Sequence, residues 1–120
     1  MRATQKLCMS EQEKYIILIE ALRKKAAELL HTGSQVALYG SRARGDARPD
    51  SDWDLQILIP GEKKIAMSLW DEFALPLADE GLALGEIVNP LLYTFAGWEK
   101  RSFLPFYKNV EQDKVIIFKN

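Results

Sequence analysis

The sequence has 120 residues, a single cysteine and a formal net charge of −1, with nearly half its residues apolar. A chain of this size buries roughly two-thirds of its unfolded surface, so it suits one domain over residues 1–120 with one core and no staples. The lone Cys8 excludes a disulfide framework and fits a reducing, cytoplasmic compartment, no apolar run reaches the length of a membrane span, and Met1 to Ser10 carries no signal-peptide stretch.

The elements follow in chain order. Ser10 and Glu13 have capping-box spacing, and Tyr15, Leu18, Ile19, Leu22, Ala26, Leu29 and Leu30 then recur at helical period up to a left-handed cap at Gly33. Gln35 to Tyr39 reads as a short buried strand ending on Gly40-Ser41. Arg42 to Asp50 is rich in Gly, Pro, Asp and Arg and predicts one helical turn, then a loop. Asp52 to Ile59 is a second strand, stopped by Pro60-Gly61. Glu62 to about Leu75 predicts a second helix that Pro76 kinks or ends, with Gly81 the stop for what remains. Leu84 to Thr94 predicts a third strand bent near Pro90, Ala96 to about Phe103 a short helix, and Lys114 to Phe118 an edge strand. Helices alternating with short strands give an α/β fold, a small mixed sheet flanked by helices on one side.

The chemistry concentrates between Tyr39 and Leu55. Side chains on a strand alternate, so Asp52 and Asp54 share one face while Trp53, Leu55, Ile57 and Ile59 take the core face. Two carboxylates about 4 Å apart repel by on the order of 4 kcal/mol at an effective dielectric near 20. A divalent cation turns that repulsion into attraction, and Mg²⁺ is commonly held by one or two carboxylates plus substrate phosphates. Gly40 lets the backbone approach a ligand closely, and Ser41 can cap the next helical turn, its hydroxyl and the nearby N–H groups meeting a phosphate. Arg44 is the best placed arginine for a phosphate contact, whereas Arg42 and Arg48 are expected as solvated charges. Basic residues are otherwise scattered among acids, which favours a small anionic ligand over an extended nucleic acid. Trp53 is expected in the core, Trp70 and Trp98 in the core or against a partner, and His31 at a helix end.

Gly40-Ser41, a ten-residue gap, then Asp52-x-Asp54 resembles the signature of the polymerase-β-like nucleotidyltransferase superfamily. The text Gly-Ser-x-Ala-Arg-Gly with Ser-Asp-x-Asp-Leu is most similar to its minimal nucleotidyltransferase (MNT) branch, the HEPN/MNT type. The resemblance runs from about Val36 to Ile59 and, more loosely, through Leu91-Leu92-Tyr93 and Pro105 to Val110. It implies a palm-like fold and a catalytic, metal-holding pair Asp52 and Asp54 for Mg²⁺ or Mn²⁺. It implies further a triphosphate bound by Gly40, Ser41 and Arg44, and transfer of a nucleoside monophosphate, AMP from ATP, to a hydroxyl. The implied partner is a helical HEPN-type toxin, with one of its tyrosines as acceptor. A homo-oligomer is left open.

The family commonly has a third carboxylate on the following strand, in an Asp-Leu-x-x-Tyr-like context. Aligning Leu91-Leu92-Tyr93 with that strand puts Asn89-Pro90 where Asp-Leu would stand. Either Glu86 supplies the third acid through an irregular strand, or the acid is missing. The second case implies a catalytically weak or inactive MNT-like antitoxin, a binding module that neutralises its partner by contact.

Overall fold

The computed structural model describes residues 10–61 and 64–120. Helix α1 (Glu11–Leu29) opens at Ser10 with the expected capping box: the Ser10 hydroxyl accepts from the Glu13 amide at 3.0 Å, and the Ser10 amide donates to the Glu13 carboxylate at 3.1 Å. Its C-terminal cap is Leu30, and Gly33, with φ at +94°, serves the turn beyond rather than the helix end. Strand β1 (Gln35–Tyr39), the four-residue helix α2 (Ser41–Arg44) and strand β2 (Trp53–Ile59) follow. Helix α3 (residues 67–83) runs as Met67–Leu69, a π-helical Trp70–Ala74 and Leu75–Ala83. Strand β3 (Val88–Thr94), helices α4 (Phe95–Glu99) and α5 (Pro105–Asp113) and strand β4 (Val115–Lys119) complete the order. Cys8 and the expected helix start at Glu62 lie outside the described residues.

The four strands form one mixed sheet in the order β3-β2-β1-β4. β1 is antiparallel to β2 and β4, and β2 is parallel to β3. The long helices α1 and α3 flank one face, where Leu18, Leu22, Phe73 and Leu77 meet Val36, Leu38, Trp53, Leu55, Ile57 and Leu92. Leu18 and Leu22 are wholly buried, each contributing roughly 1.5–3 kcal/mol over exposure. On the other face a smaller cluster of Leu58, Trp98 and Val110, with Tyr39, Leu91, Tyr93 and Tyr107, gathers under α4 and α5. Asp54 and Asn89 lie on that same face, near the starts of β2 and β3. No helix among the described residues is long and apolar enough to cross a membrane.

Three expectations about α3 are corrected. Residues 64–66 are non-helical and the helix begins at Met67. Pro76 does not end it. The Leu75 amide bonds back five residues to the Trp70 carbonyl, and this widened turn takes up the missing N–H and the bulk of the proline ring. Gly81 is no stop either; it lies inside the helix, buried against Val88, and the chain turns out at Gly85, where φ is +76°. Trp98 belongs to the core of the smaller cluster and Trp70 packs against the larger one.

Candidate functional site

β1 carries the chain to its edge and Gly40 turns it. With φ +74° and ψ −155°, Gly40 occupies a region essentially closed to other residues, at a cost of about 1–3 kcal/mol for a side chain. A Cβ there would also stand 2.6 Å from the Asp54 Oδ2. Glycine is therefore required twice, by conformation and by the closeness of the carboxylate. Ser41 is the first residue of α2 and not its cap, which is Gly40 with no side-chain bond; the first backbone bonds run from Ala43 and Arg44 to the Gly40 carbonyl at 3.0 Å.

Asp54 is placed by the sheet. It pairs with Tyr39 on β1 and with Asn89 on β3, on the face away from Trp53, Leu55 and Ile57. Burial, with the charge of Asp52 added, holds its carboxyl above the ordinary range, while the Asn89 amide and Arg44 draw it back. Tyr39 shares this environment: burial and Asp54 push its phenol up to about 12. Asp52 precedes the ladder, which begins at Trp53, and is exposed. Its carboxylate accepts from the Asn89 amide at 3.0 Å.

Asn89 thus stands level with Asp54 on the neighbouring strand and bonds to Asp52. Glu86 is not there. It accepts from the Trp53 indole at 2.8 Å and lies 3.5 Å from Lys14 and 3.8 Å from Arg42, on the core side of β2. No bulge turns it to the aspartates, because a regular parallel register runs from Trp53↔Val88 onward. Arg44 stands at the rim near Asp54, held by Asp113 at 2.8 Å and Asp46 at 3.2 Å.

Arg42, expected as a solvated charge, is instead buried, its side chain only 6% exposed. A lone arginine in a polar loop carries no local sign of burial, since that residue type is mostly exposed.

The donor set fits a hard divalent cation in part. Asp52 and Asp54 are near enough that both meet the Asn89 amide, and such a cation often takes two carboxylates with substrate phosphates. Among the described residues no three His, Cys, Asp or Glu side chains gather to hold a metal, because the third partner is an amide.

The mixed sheet with carboxylates at one strand end is that of a nucleotidyltransferase fold. The chain belongs to the nucleotidyltransferase domain family, whose model matches residues 18–118. No curated protein matches it. Among solved structures it is similar to a toxin–antitoxin crystallised with AMP-PNP, at TM-score 0.60 and 18% identity, over 85% of this chain and 73% of that one. A structure described as a minimal nucleotidyltransferase matches at TM-score 0.57 and 24% identity, over 90% of this chain and 97% of that one. A mutant of the toxin–antitoxin MntA–HpeT matches at TM-score 0.56 and 15% identity, over 85% and 73%. At these identities the likeness is one of fold.

Proposed function

We propose that this chain holds a nucleoside triphosphate, ATP, with Mg²⁺ between the Gly40-Ser41 turn and the Asp52/Asp54 pair, and transfers AMP to a hydroxyl of a helical, HEPN-type partner. The observation that carries this is the contact of Gly40 with Asp54. A glycine turn pressed against a half-buried carboxylate supports a phosphate half of the site lying beside a cation half. Asp52 and Asp54 would hold the cation, which supplies charge neutralisation for the phosphates. Ser41 and the first amides of α2 meet the outer phosphates, and Arg44, released from Asp46, adds a charge-assisted contact. The acceptor oxygen bonds to the α-phosphorus, the bond to the bridging oxygen breaks, and pyrophosphate leaves with that electron pair. The hydroxyl proton passes to a carboxylate of the pair. The toxin–antitoxin neighbours, one of them solved with AMP-PNP, support a protein acceptor and an adenine nucleotide.

The test is incubation with ATP, Mg²⁺ and the product of the neighbouring gene, followed by intact-mass analysis. One added AMP on the partner, lost with Asp52→Asn, is the expected result. No added nucleotide on any acceptor, from folded protein, overturns transfer.

One observation favours a second reading, an antitoxin that acts by contact. Asn89 already gives Asp52 a neutral partner at 3.0 Å, so the pair is not left waiting for a cation. Full neutralisation of the partner by the double variant Asp52→Asn, Asp54→Asn establishes this reading; its loss returns the role to transfer.

A further inference from the structure

We infer that Arg42 is a positioning residue for Asp52, and that it ties the phosphate turn to the cation-binding loop. This rests on the site proposed above. The two aspartates are held in different ways. Asp54 lies within the ladder, fixed on both sides by Tyr39 and Asn89. Asp52 lies just outside it: the Trp53 amide beyond it donates to the Ile87 carbonyl at 2.9 Å, but the Ser51–Asp52 peptide precedes the ladder, at the end of a loop rich in polar residues.

Arg42 supplies the missing constraint. Its side chain leaves α2 one residue after Ser41 and runs beneath the loop. One terminal nitrogen donates to the Ser51 carbonyl at 2.9 Å and to the Pro49 carbonyl at 3.2 Å. The other donates to Glu11 of α1 at 3.0 Å. The guanidinium lies 4.1 Å from the centre of the Trp53 ring. The Ser51 carbonyl belongs to the peptide that enters Asp52, so the bond to it fixes the orientation of that peptide. Residues on both sides of Asp52 are held by the same guanidinium, Ser51 by hydrogen bond and Trp53 by ring contact.

The clamp is itself held. Lys14 lies 3.1 Å from Glu11 and 3.5 Å from Glu86, and the Trp53 indole donates to Glu86 at 2.8 Å. Two cations and two carboxylates form a neutral group, which lets a guanidinium stay buried. Lysine does not replace it, because a single ammonium does not reproduce the planar fork that reaches two carbonyls and a carboxylate while lying on a ring.

The experiment uses the full chain with Mn²⁺ and AMP-PNP as probe, Mn²⁺ affinity read by electron paramagnetic resonance. Arg42→Lys and Arg42→Met are each expected to weaken Mn²⁺ about 10–100-fold, the range for residues that orient metal ligands. In the Asp52→Asn background the same substitutions should add little, because Arg42 acts through Asp52. Hydrogen exchange should quicken across residues 45–52 while the β2 amides keep their protection. Losses that multiply in the Asp52→Asn background, or exchange unchanged in the loop, overturn the inference. If Arg42→Met fails to fold, Arg42→Lys carries the same two readouts. A wild-type chain that binds no Mn²⁺ sinks the proposed site, and loop exchange alone then decides whether Arg42 holds Asp52.

Discussion

Asp54 is a carboxylate whose surroundings oppose its charge. Burial is the larger cause and the neighbouring Asp52 adds to it. Its pKa in the folded chain is therefore above the ordinary value of 3.8, and the native state binds that proton more tightly than the unfolded state does. Stability linked to Asp54 is present at low pH and falls as pH rises through the unfolded and then the folded pKa. At neutral pH the ionised group destabilises the protein. An asparagine of nearly the same shape escapes this cost, so Asp54→Asn is expected to melt at a higher temperature than wild type at pH 7 without divalent cation. The gain should shrink as pH drops toward and below 3.8. Thermal melts across that range check it, and a variant less stable at every pH refutes it. The same substitution is expected to abolish cation binding, the stability–function trade of a site that gathers like charges.

At the scale of the elements, α3 shows a local signal overruled by packing. Gly81 within a helix costs about 1 kcal/mol against alanine by propensity. Yet a methyl there would collide with the Val88 side chain and stand 3.1 Å from the Glu86 carbonyl. Overpacking of this kind costs typically 1–3 kcal/mol. Gly81→Ala is therefore expected to destabilise by about 1 kcal/mol net rather than stabilise. Val88→Ala should cancel most of that effect in the double variant. Denaturant midpoints of the four proteins test this, and additivity would show that the helix does not press on the strand at this point.

The same contrast explains what was legible in the sequence. The start and face of α1 were legible because its N-terminal capping box and its period are local, while its end falls at Leu30 and not at Gly33. The turn at Gly40 and the face taken by Asp54 were legible for the same reason, since a turn residue and a period of two need no knowledge of the fold, whereas Asp52 precedes the ladder and its place does not follow from that period. The passage of α3 through Pro76 was hidden, because the π turn that accommodates it carries no sequence mark. α5 was missed as a helix although Pro105 stands at its first turn, where its lost N–H costs nothing; its single buried residue, Val110, leaves no apolar stripe to read. The burial of Arg42 and the pairing of Glu86 were hidden because their partners, Glu11 and Lys14, lie on α1 and reach them only in the folded chain.

At the scale of the whole molecule, the site depends on a pairing between strands far apart in sequence. The connection through α3 brings Asn89 beside Asp54 and within 3.0 Å of Asp52. An aspartate at this position would remove a donor from Asp52 and add a third charge. The gross repulsion is on the order of 4 kcal/mol per pair at 4 Å and an effective dielectric near 20, and solvent at this open face reduces it. Asn89→Asp is expected to lower stability by about 1–3 kcal/mol without divalent cation. Mn²⁺ with AMP-PNP should restore it, because ligand binding to the native state alone adds stability by mass action. If transfer is the function, the rate of AMP addition should rise at least about tenfold, a modest gain for a completed acid–base or metal site. If the chain acts by contact, the variant should gain cation-dependent stability while its neutralisation of the partner stays unchanged. Melts with and without Mn²⁺, beside the intact-mass assay, separate these outcomes. A variant indifferent to the cation in both would show that the third strand does not take part in the site, and that Asn89 serves only to hold Asp52.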